Sequence, residues 1–245
     1  MRSILSAAKA LARRLGVDVR RHDAWSLPAA RRVQLLKDGR FGLVLDVGAN
    51  AGQYGRELRA HGYGGAIVSF EPGSTAYARL ETLAAPDSRW SCRRLALGDR
   101  SGSRLLNVAT NDGASSSLLS FAATHRSAAP EVAHTATETV QVATLDDLAG
   151  ELLRHDVRTM LKLDVQGSER LVLTGAEHSL PRIDAIELEL SLVELYESQP
   201  LFDELLRAVQ EAGYRTVDIS EEFVHPVTGQ LLQVNLLARR PPPAT

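Results

Sequence analysis

The chain has 245 residues, 44% of them apolar and 24% charged, with one cysteine and a formal net charge of −2. That length and apolar content suffice for one large hydrophobic core. The single cysteine, Cys92, excludes an internal disulfide framework or a cysteine zinc cluster, which fits a reducing cytoplasm, and the net −9 carried beyond residue 40 argues against a nucleic-acid enzyme, whose catalytic face is ordinarily basic.

Residues 1–40 hold ten Lys/Arg against three Asp, so this arm carries +7 and the rest of the chain −9 of the net −2. Ile4, Leu5, Ala8, Leu11, Ala12 and Leu15 recur at helical spacing, with Arg2, Lys9 and Arg13 opposite and Gly16 able to end the helix. Lys9, Arg13 and Arg14 interrupt the apolar stretch, so it is not read as an export signal, and no apolar run is long enough for an integral membrane span. Two uses suit a basic amphipathic helix of this kind. It packs on the domain or on a second copy in a homodimer, or it rests peripherally on an anionic membrane at its inner face, through residues 1–16, near lipid-linked substrates.

Residues 41–240 read as one domain in which short apolar strands alternate with helices. Strands are expected at 43–47, 66–70 and 90–95, with helices at 52–61 and 74–84 between them. After Asp99 the pattern changes: Arg104–Ala109 and Glu138–Ala143 read as strands flanking a Ser/Ala/Thr-rich stretch with little periodicity, an insertion after the third strand. Helix 145–154, strand 159–164, helix 168–175, strand 183–190, helix 201–212 and strands 214–218 and 230–238 follow. The expected fold is α/β, a doubly wound, mostly parallel Rossmann-like sheet of seven strands that ends in an antiparallel hairpin.

The turn after the first strand says most about chemistry. Asp46-Val47-Gly48-Ala49-Asn50-Ala51-Gly52-Gln53 lacks the second and third glycines of a dinucleotide fingerprint, because Asn50 and Gln53 occupy those places, and no Walker lysine follows. A tight turn with Asp46 beside it suits instead a ligand with an amino-acid tail, whose carboxylate meets amide N–H groups at the helix start while Asp46 receives its ammonium. Glu71 follows nineteen residues after Gly52, at the end of the second strand, where a carboxylate accepts ribose hydroxyls. S-adenosylmethionine has both parts.

Five motifs then occur in order: Asp46-Val47-Gly48-Ala49-Asn50-Ala51-Gly52, Phe70-Glu71-Pro72, Leu95-Ala96-Leu97-Gly98-Asp99, Thr144-Leu145-Asp146-Asp147-Leu148, and Leu161-Lys162-Leu163-Asp164-Val165-Gln166-Gly167-Ser168-Glu169. The series, spread over residues 41 to 239, resembles the FkbM family of S-adenosylmethionine-dependent methyltransferases. One departure is Gln166, where many members carry Glu. The resemblance implies a class I methyltransferase fold, O-methylation of a hydroxyl, and cofactor contacts from Asp46, Gly48, Ala49, Asn50, Gly52, Gln53, Glu71, Pro72, Ala96, Leu97 and Asp99; Asp99 follows the third strand, where an acceptor for the adenine amino group is expected, and Gly98-Asp99-Arg100-Ser101-Gly102 is equally a good turn sequence. It also places Ser115, Ser116 and Ser117 in a loop over the cofactor.

Methyl transfer is an in-line displacement, so the acceptor must be desolvated and aligned, and an alcohol must lose a proton. Asp164, at a strand end, is the candidate to orient or deprotonate a hydroxyl, with Lys162 on the same strand face; Gln166, Glu169 and Glu189 are candidate substrate contacts, with Glu169 equally able to cap the helix that begins at Ser168. Lys162 has a plainer use as a structural ion pair. No spacing matches a strong metal signature, although Asp146, Asp147, Glu187 and Glu189 with Asp164 offer oxygen ligands for a divalent ion. The acceptor is expected to be a hydroxyl on a sugar of a bacterial-type glycolipid or glycosylated natural product. A polyketide or fatty-acyl hydroxyl is the alternative, and a non-catalytic binding module is the reading from another class.

Overall fold

The computed structural model describes residues 9–17 and 27–241. Residues 9–14 are helical and Gly16, with φ +74°, follows the helix, while Arg2, Ile4, Leu5 and Ala8 of the expected amphipathic face lie outside the described residues. Leu11 and Leu15 are 61% and 75% exposed, so these two side chains are not packed on the domain.

The packed part begins with α1 (Pro28–Asp38), whose proline sits in the first turn, where its missing N–H costs no helical hydrogen bond. This helix falls within the 1–40 stretch set apart as an arm by charge, yet Val33 and Leu36 are buried against Phe41, Val44 and Leu58. There follow β1 (Phe41–Val47), α2 (Gln53–Ala60), β2 (Ala66–Phe70), α3 (Ser74–Ala84) and β3 (Trp90–Arg93). Then come β4 (Ala96–Leu97), β5 (Gly102–Ala109), α4 (Ala123–Ala128) and β6 (His134–Ala143). The chain returns through α5 (Leu145–Leu152), β7 (Arg158–Leu163), α6 (Glu169–Thr174), β8 (Ala185–Ser191), α7 (Phe202–Glu211), β9 (Arg215–Val224) and β10 (Leu231–Arg239).

Seven strands form one sheet in the order β3-β2-β1-β7-β8-β10-β9, parallel except at β10, which runs antiparallel to both neighbours. Both faces are covered, and the alternation along each strand divides the core. Leu43, Leu45, Leu161, Leu163, Ile186 and Leu188 meet α5, α6 and α7 on one face. On the other, Val44, Ile67 and Met160 meet α1, α2 and α3 through Leu36, Leu58 and Leu80. Each such fully buried side chain contributes roughly 1.5–3 kcal/mol.

Where the structure differs from the sequence reading, tertiary pairing is the reason. The expected strand 90–95 is divided: Leu95 turns, its N–H donating to Arg93 O at 3.0 Å, and Ala96–Leu97 joins a separate three-stranded sheet, β4-β6-β5. The hairpin partner β10 extends β9 to Val224, beyond the 218 that its pattern suggested. Inside the insertion, α4 has no apolar period; it is held by the Phe121 ring, which stacks on His125 and on His134, each at 3.7 Å between centroids.

Candidate active site

The strand order reverses between β1 and β7, and ligands of open α/β sheets bind at the carboxyl ends of the strands beside such a switch. A cleft of about 880 Å³ opens there, near the upper end of the range for ligand pockets. Its first wall is the turn after β1. Gly48 and Ala49 both donate N–H groups to Phe70 O at 3.0 Å, which ties this turn to the end of β2. Gly48 has φ +77°, and a Cβ there would stand 1.8 Å from Asp164 O, so only glycine lets β1 and β7 approach this closely.

Glu71 is 7% exposed and lines the cleft. Its Oε2 accepts the Asn50 N–H and its Oε1 the Gly73 N–H, both at 2.8 Å. Burial pushes its carboxyl up to about 7, against those hydrogen bonds, which favour the ionised form. Leu95, Ala96, Leu97 and Leu106 supply an apolar wall beyond it.

Parallel register sets a polar row beneath the turn, because Ser69, Asp46, Lys162 and Glu187 are successive partners across β2, β1, β7 and β8 and share one face. Asp46 has no exposed surface; it accepts the Ser69 hydroxyl at 2.9 Å and pairs with Lys162 Nζ at 3.3 Å. Burial raises its pKa although Lys162 and Ser69 oppose the rise. Lys162 Nζ also reaches Asp164 Oδ2 and Gly48 O, each at 3.2 Å. Burial alone would lower its pKa, but Asp164 and Asp46 outweigh that and hold it above the ordinary lysine value. Glu187 is buried against Arg32 of α1, whose Nε lies 2.6 Å from Oε2, and it accepts the Tyr54 hydroxyl at 2.8 Å.

The far wall is a second cluster. Gln166 Nε2 donates to Asp164 Oδ1 at 2.6 Å and to Glu189 Oε2 at 3.0 Å, while its Oε1 accepts the Tyr196 hydroxyl at 2.5 Å. Ser117 Oγ donates to Gln166 O at 2.6 Å, which ties the insertion to this loop. Ser220, Glu222 and Asn235 complete the rim from β9 and β10.

Of the residues picked from sequence, Gly48, Ala49, Asn50, Gln53, Glu71, Pro72, Ala96, Leu97, Ser116, Ser117, Lys162, Asp164, Gln166 and Glu189 line the cleft together. Others stand behind it. Gly52, with φ +86°, caps α2 against Leu80 and Leu83, and the fully buried Asp46 acts through Lys162 instead of facing an ammonium directly. Asp99 faces the turn between β4 and β5, where its Oδ1 accepts from Arg104 at 2.5 Å, and it does not border the cleft. Ser115 is held by Asn111. Glu169 turns inward, accepting N–H groups of Val165 and Gly167 at 3.0 and 3.3 Å, and burial pushes it up to about 7. Asp146 accepts from the backbone of His178 and Ser179, and among the described residues no group of three or more His, Cys, Asp or Glu is placed to hold a metal ion.

Sequence reasoning missed Arg32, Tyr54, Tyr196 and Gln233. Arg32 lies three and four residues from Ala29 and Leu36 on the inward face of α1, a signal that the charge count of the arm obscured. Tyr54 adjoins Gln53 in the first turn of α2, but Tyr196 and Gln233 come from segments with no local motif.

The chain is 27% identical over 179 residues, 71% of its length and 73% of the relative's, to 2-O-methyltransferase NoeI of Sinorhizobium fredii. Among solved structures, the magnesium protoporphyrin IX methyltransferase of Synechocystis PCC 6803 with bound SAM is similar at 12% identity and a TM-score of 0.47, covering 87% of this chain and 78% of that one. An S-adenosylmethionine-dependent methyltransferase from Mesorhizobium loti is similar at 12% identity and a TM-score of 0.48, covering 89% of this chain and 100% of that one. No helix among the described residues is long and apolar enough to cross a membrane. Residues 46–216, which hold the turn, Glu71 and the Asp164 loop, match the methyltransferase FkbM domain, and the chain belongs to that family of methyltransferases.

Proposed function

We propose that the chain is an S-adenosylmethionine-dependent O-methyltransferase whose acceptor is a sugar hydroxyl of a glycolipid or glycosylated natural product. The observation that carries the cofactor is Glu71. Each of its oxygens accepts one backbone N–H and keeps a lone pair for one hydroxyl of a vicinal diol such as ribose. Asn50 Oδ1, a buried acceptor without a hydrogen-bond partner among the described residues, fits an ammonium donor, and the Leu95 to Leu97 wall with Leu106 fits adenine. When bound, the cofactor supplies an electrophilic methyl carbon on a sulfonium centre.

The chain's own residues align the acceptor and keep water out. Asp164, fixed by Lys162 and Gln166, orients the acceptor at the mouth of β7. A rim of Ser220, Asn235, Gln166 and carboxylates offers hydrogen-bond partners that suit a polyhydroxylated ring, and a relative named as a 2-O-methyltransferase supports oxygen as the accepting atom.

Calorimetry with S-adenosylhomocysteine tests the cofactor. Wild-type protein is expected to bind it and Glu71→Ala to bind at least about 100-fold more weakly, since two hydrogen bonds to a charged acceptor are lost. Absence of heat with wild type would overturn the reading. Radiolabelled methyl donor should label the sugar portion of glycolipid extracts, and label confined to the acyl portion would replace the sugar acceptor with a fatty-acyl one.

A further inference from the structure

We infer that Glu189 is the general base, the carboxylate that takes the proton from the acceptor hydroxyl, and that Gln166, Gln233 and Tyr196 are the residues that position it. This rests on the methyl-transfer reading and deepens it.

Of the carboxylates around the β7 and β8 ends, most are committed elsewhere: Glu187 holds Arg32 and the Tyr54 hydroxyl, Glu169 accepts backbone N–H groups, and Glu222 accepts the Asn235 amide. Asp46 is fully buried in its pair with Lys162. Asp164 has Oδ2 on Lys162 and Oδ1 on Gln166. Glu189 differs. Its Oε2 accepts amide N–H groups from Gln166 at 3.0 Å and Gln233 at 2.7 Å, whereas Oε1 accepts none among the described residues, and the residue lines the cleft. One oxygen anchors the carboxylate and the other is open to an acceptor.

The anchor is itself built. Tyr196 is 1% exposed and donates its hydroxyl to Gln166 Oε1, so the amide presents its NH₂ to Asp164 and Glu189 together. Gln166 has φ +53°, a conformation that costs a residue with a side chain about 1 kcal/mol or more. The neutral amide also keeps a third negative charge out from between two carboxylates, which a glutamate at this position would introduce.

The groups facing Glu189 are Asp164 after β7, Glu169 of α6, Glu222 of β9, Lys162 of β7 and Tyr196 after β8. Burial first, then the charges of Asp164, Glu169 and Glu222, hold its pKa well above the carboxylate range, with Lys162 opposing. A carboxylate so raised is a stronger base once ionised. In the step assigned to it, the acceptor oxygen bonds to the donor methyl carbon as the carbon–sulfur bond breaks, its electron pair passing to sulfur. The hydroxyl proton goes to Glu189 Oε1 and afterwards to solvent.

The base works only when deprotonated, so kcat/KM should rise with pH and level off above the raised Glu189 pKa. Tritiated methyl transfer to oligosaccharides released from bacterial glycolipids is expected to fall about 10²–10⁴-fold in Glu189→Gln, with that acidic limb lost and S-adenosylhomocysteine affinity unchanged by calorimetry. Gln233→Leu removes a donor that favours the ionised form and anchors Oε2, and should move the limb to higher pH and lower the plateau less than Glu189→Gln does. A second readout needs no acceptor: ¹³C NMR of carboxyl-labelled glutamates, with S-adenosylhomocysteine bound, should show, beside the elevated Glu71, Glu169 and Glu222 carboxyls, a further elevated titration that is absent in Glu189→Gln and shifted upward in Gln233→Leu. An acidic limb that survives Glu189→Gln, or a Glu189 carboxyl titrating in the ordinary range, overturns the assignment while the methyl-transfer reading stands. Wild-type protein that fails to bind S-adenosylhomocysteine overturns that reading instead.

Discussion

Replacing Lys162 with methionine is expected to lower the unfolding free energy by about 3–5 kcal/mol, the usual cost of removing one partner from a buried ion pair. Met fills much of the same space, so the loss comes from charge. Lys162 stands 3.3 Å from Asp46 and 3.2 Å from Asp164, and Asp46 has no exposed surface on which to regain water. The sign of the pH dependence follows from Asp46. Its pKa is already raised by burial, and without the ammonium it rises further, so the folded variant keeps a proton that the unfolded chain releases. Stability of Lys162→Met is therefore present at low pH and lost as pH rises through that raised pKa. Denaturant titrations at several pH values should show the deficit relative to wild type shrinking under acid conditions; a deficit that is absent at pH 8 would mean that Asp46 is not charged in the fold.

Gly48→Ala should be comparably damaging for a purely steric reason. The added methyl carbon would lie 1.8 Å from Asp164 O, a backbone atom that cannot swing aside, and the position has φ +77°. Backbone strain and overpacking together are expected to cost about 3–5 kcal/mol, or about 6–20 °C in Tm for a chain of this size. Relief requires the β1 and β7 ends to separate, which displaces Asp164 and Gln166 from the cleft, so S-adenosylhomocysteine affinity should also fall. Gly150→Ala is the control. It lies in α5 with nothing within 4 Å of the added carbon and should be neutral or stabilising by about 0.5–1 kcal/mol. Equal melting temperatures for wild type and Gly48→Ala would overturn the close approach.

The turn and carboxylate proposed to hold the cofactor could be picked from the sequence because they are local. Gly48 and Glu71 directly follow buried strands and Asn50 lies in the same turn as Gly48, and the crevice at strand ends gathers such residues without any knowledge of long-range packing. The acceptor half was not readable in the same way. Arg32 meets Glu187, and Tyr196 and Gln233 gather on Gln166 and Glu189, only because β8 and β10 are neighbours and α1 packs on the sheet, facts of register that no window of sequence contains. Asp99 shows the reverse failure: a residue that follows a strand in a familiar motif was drawn away by Arg104 once the strand divided. Charge counting misled for Arg32, since a basic residue in a basic arm looks solvated until Glu187 is found beneath it.

Arg32 also settles where this folding unit must start. Its guanidinium is the cation for Glu187, a carboxylate 4% exposed in the middle of a strand, and it also reaches Glu57 at 2.9 Å. Excision just ahead of β1, at Phe41, would strand that carboxylate beside the Tyr54 hydroxyl with no counter-ion, and would uncover Phe41 and Val44 together. The helix ahead of the first strand is thus a keystone of the packed body, since it brings both the cation for Glu187 and the apolar cover for β1.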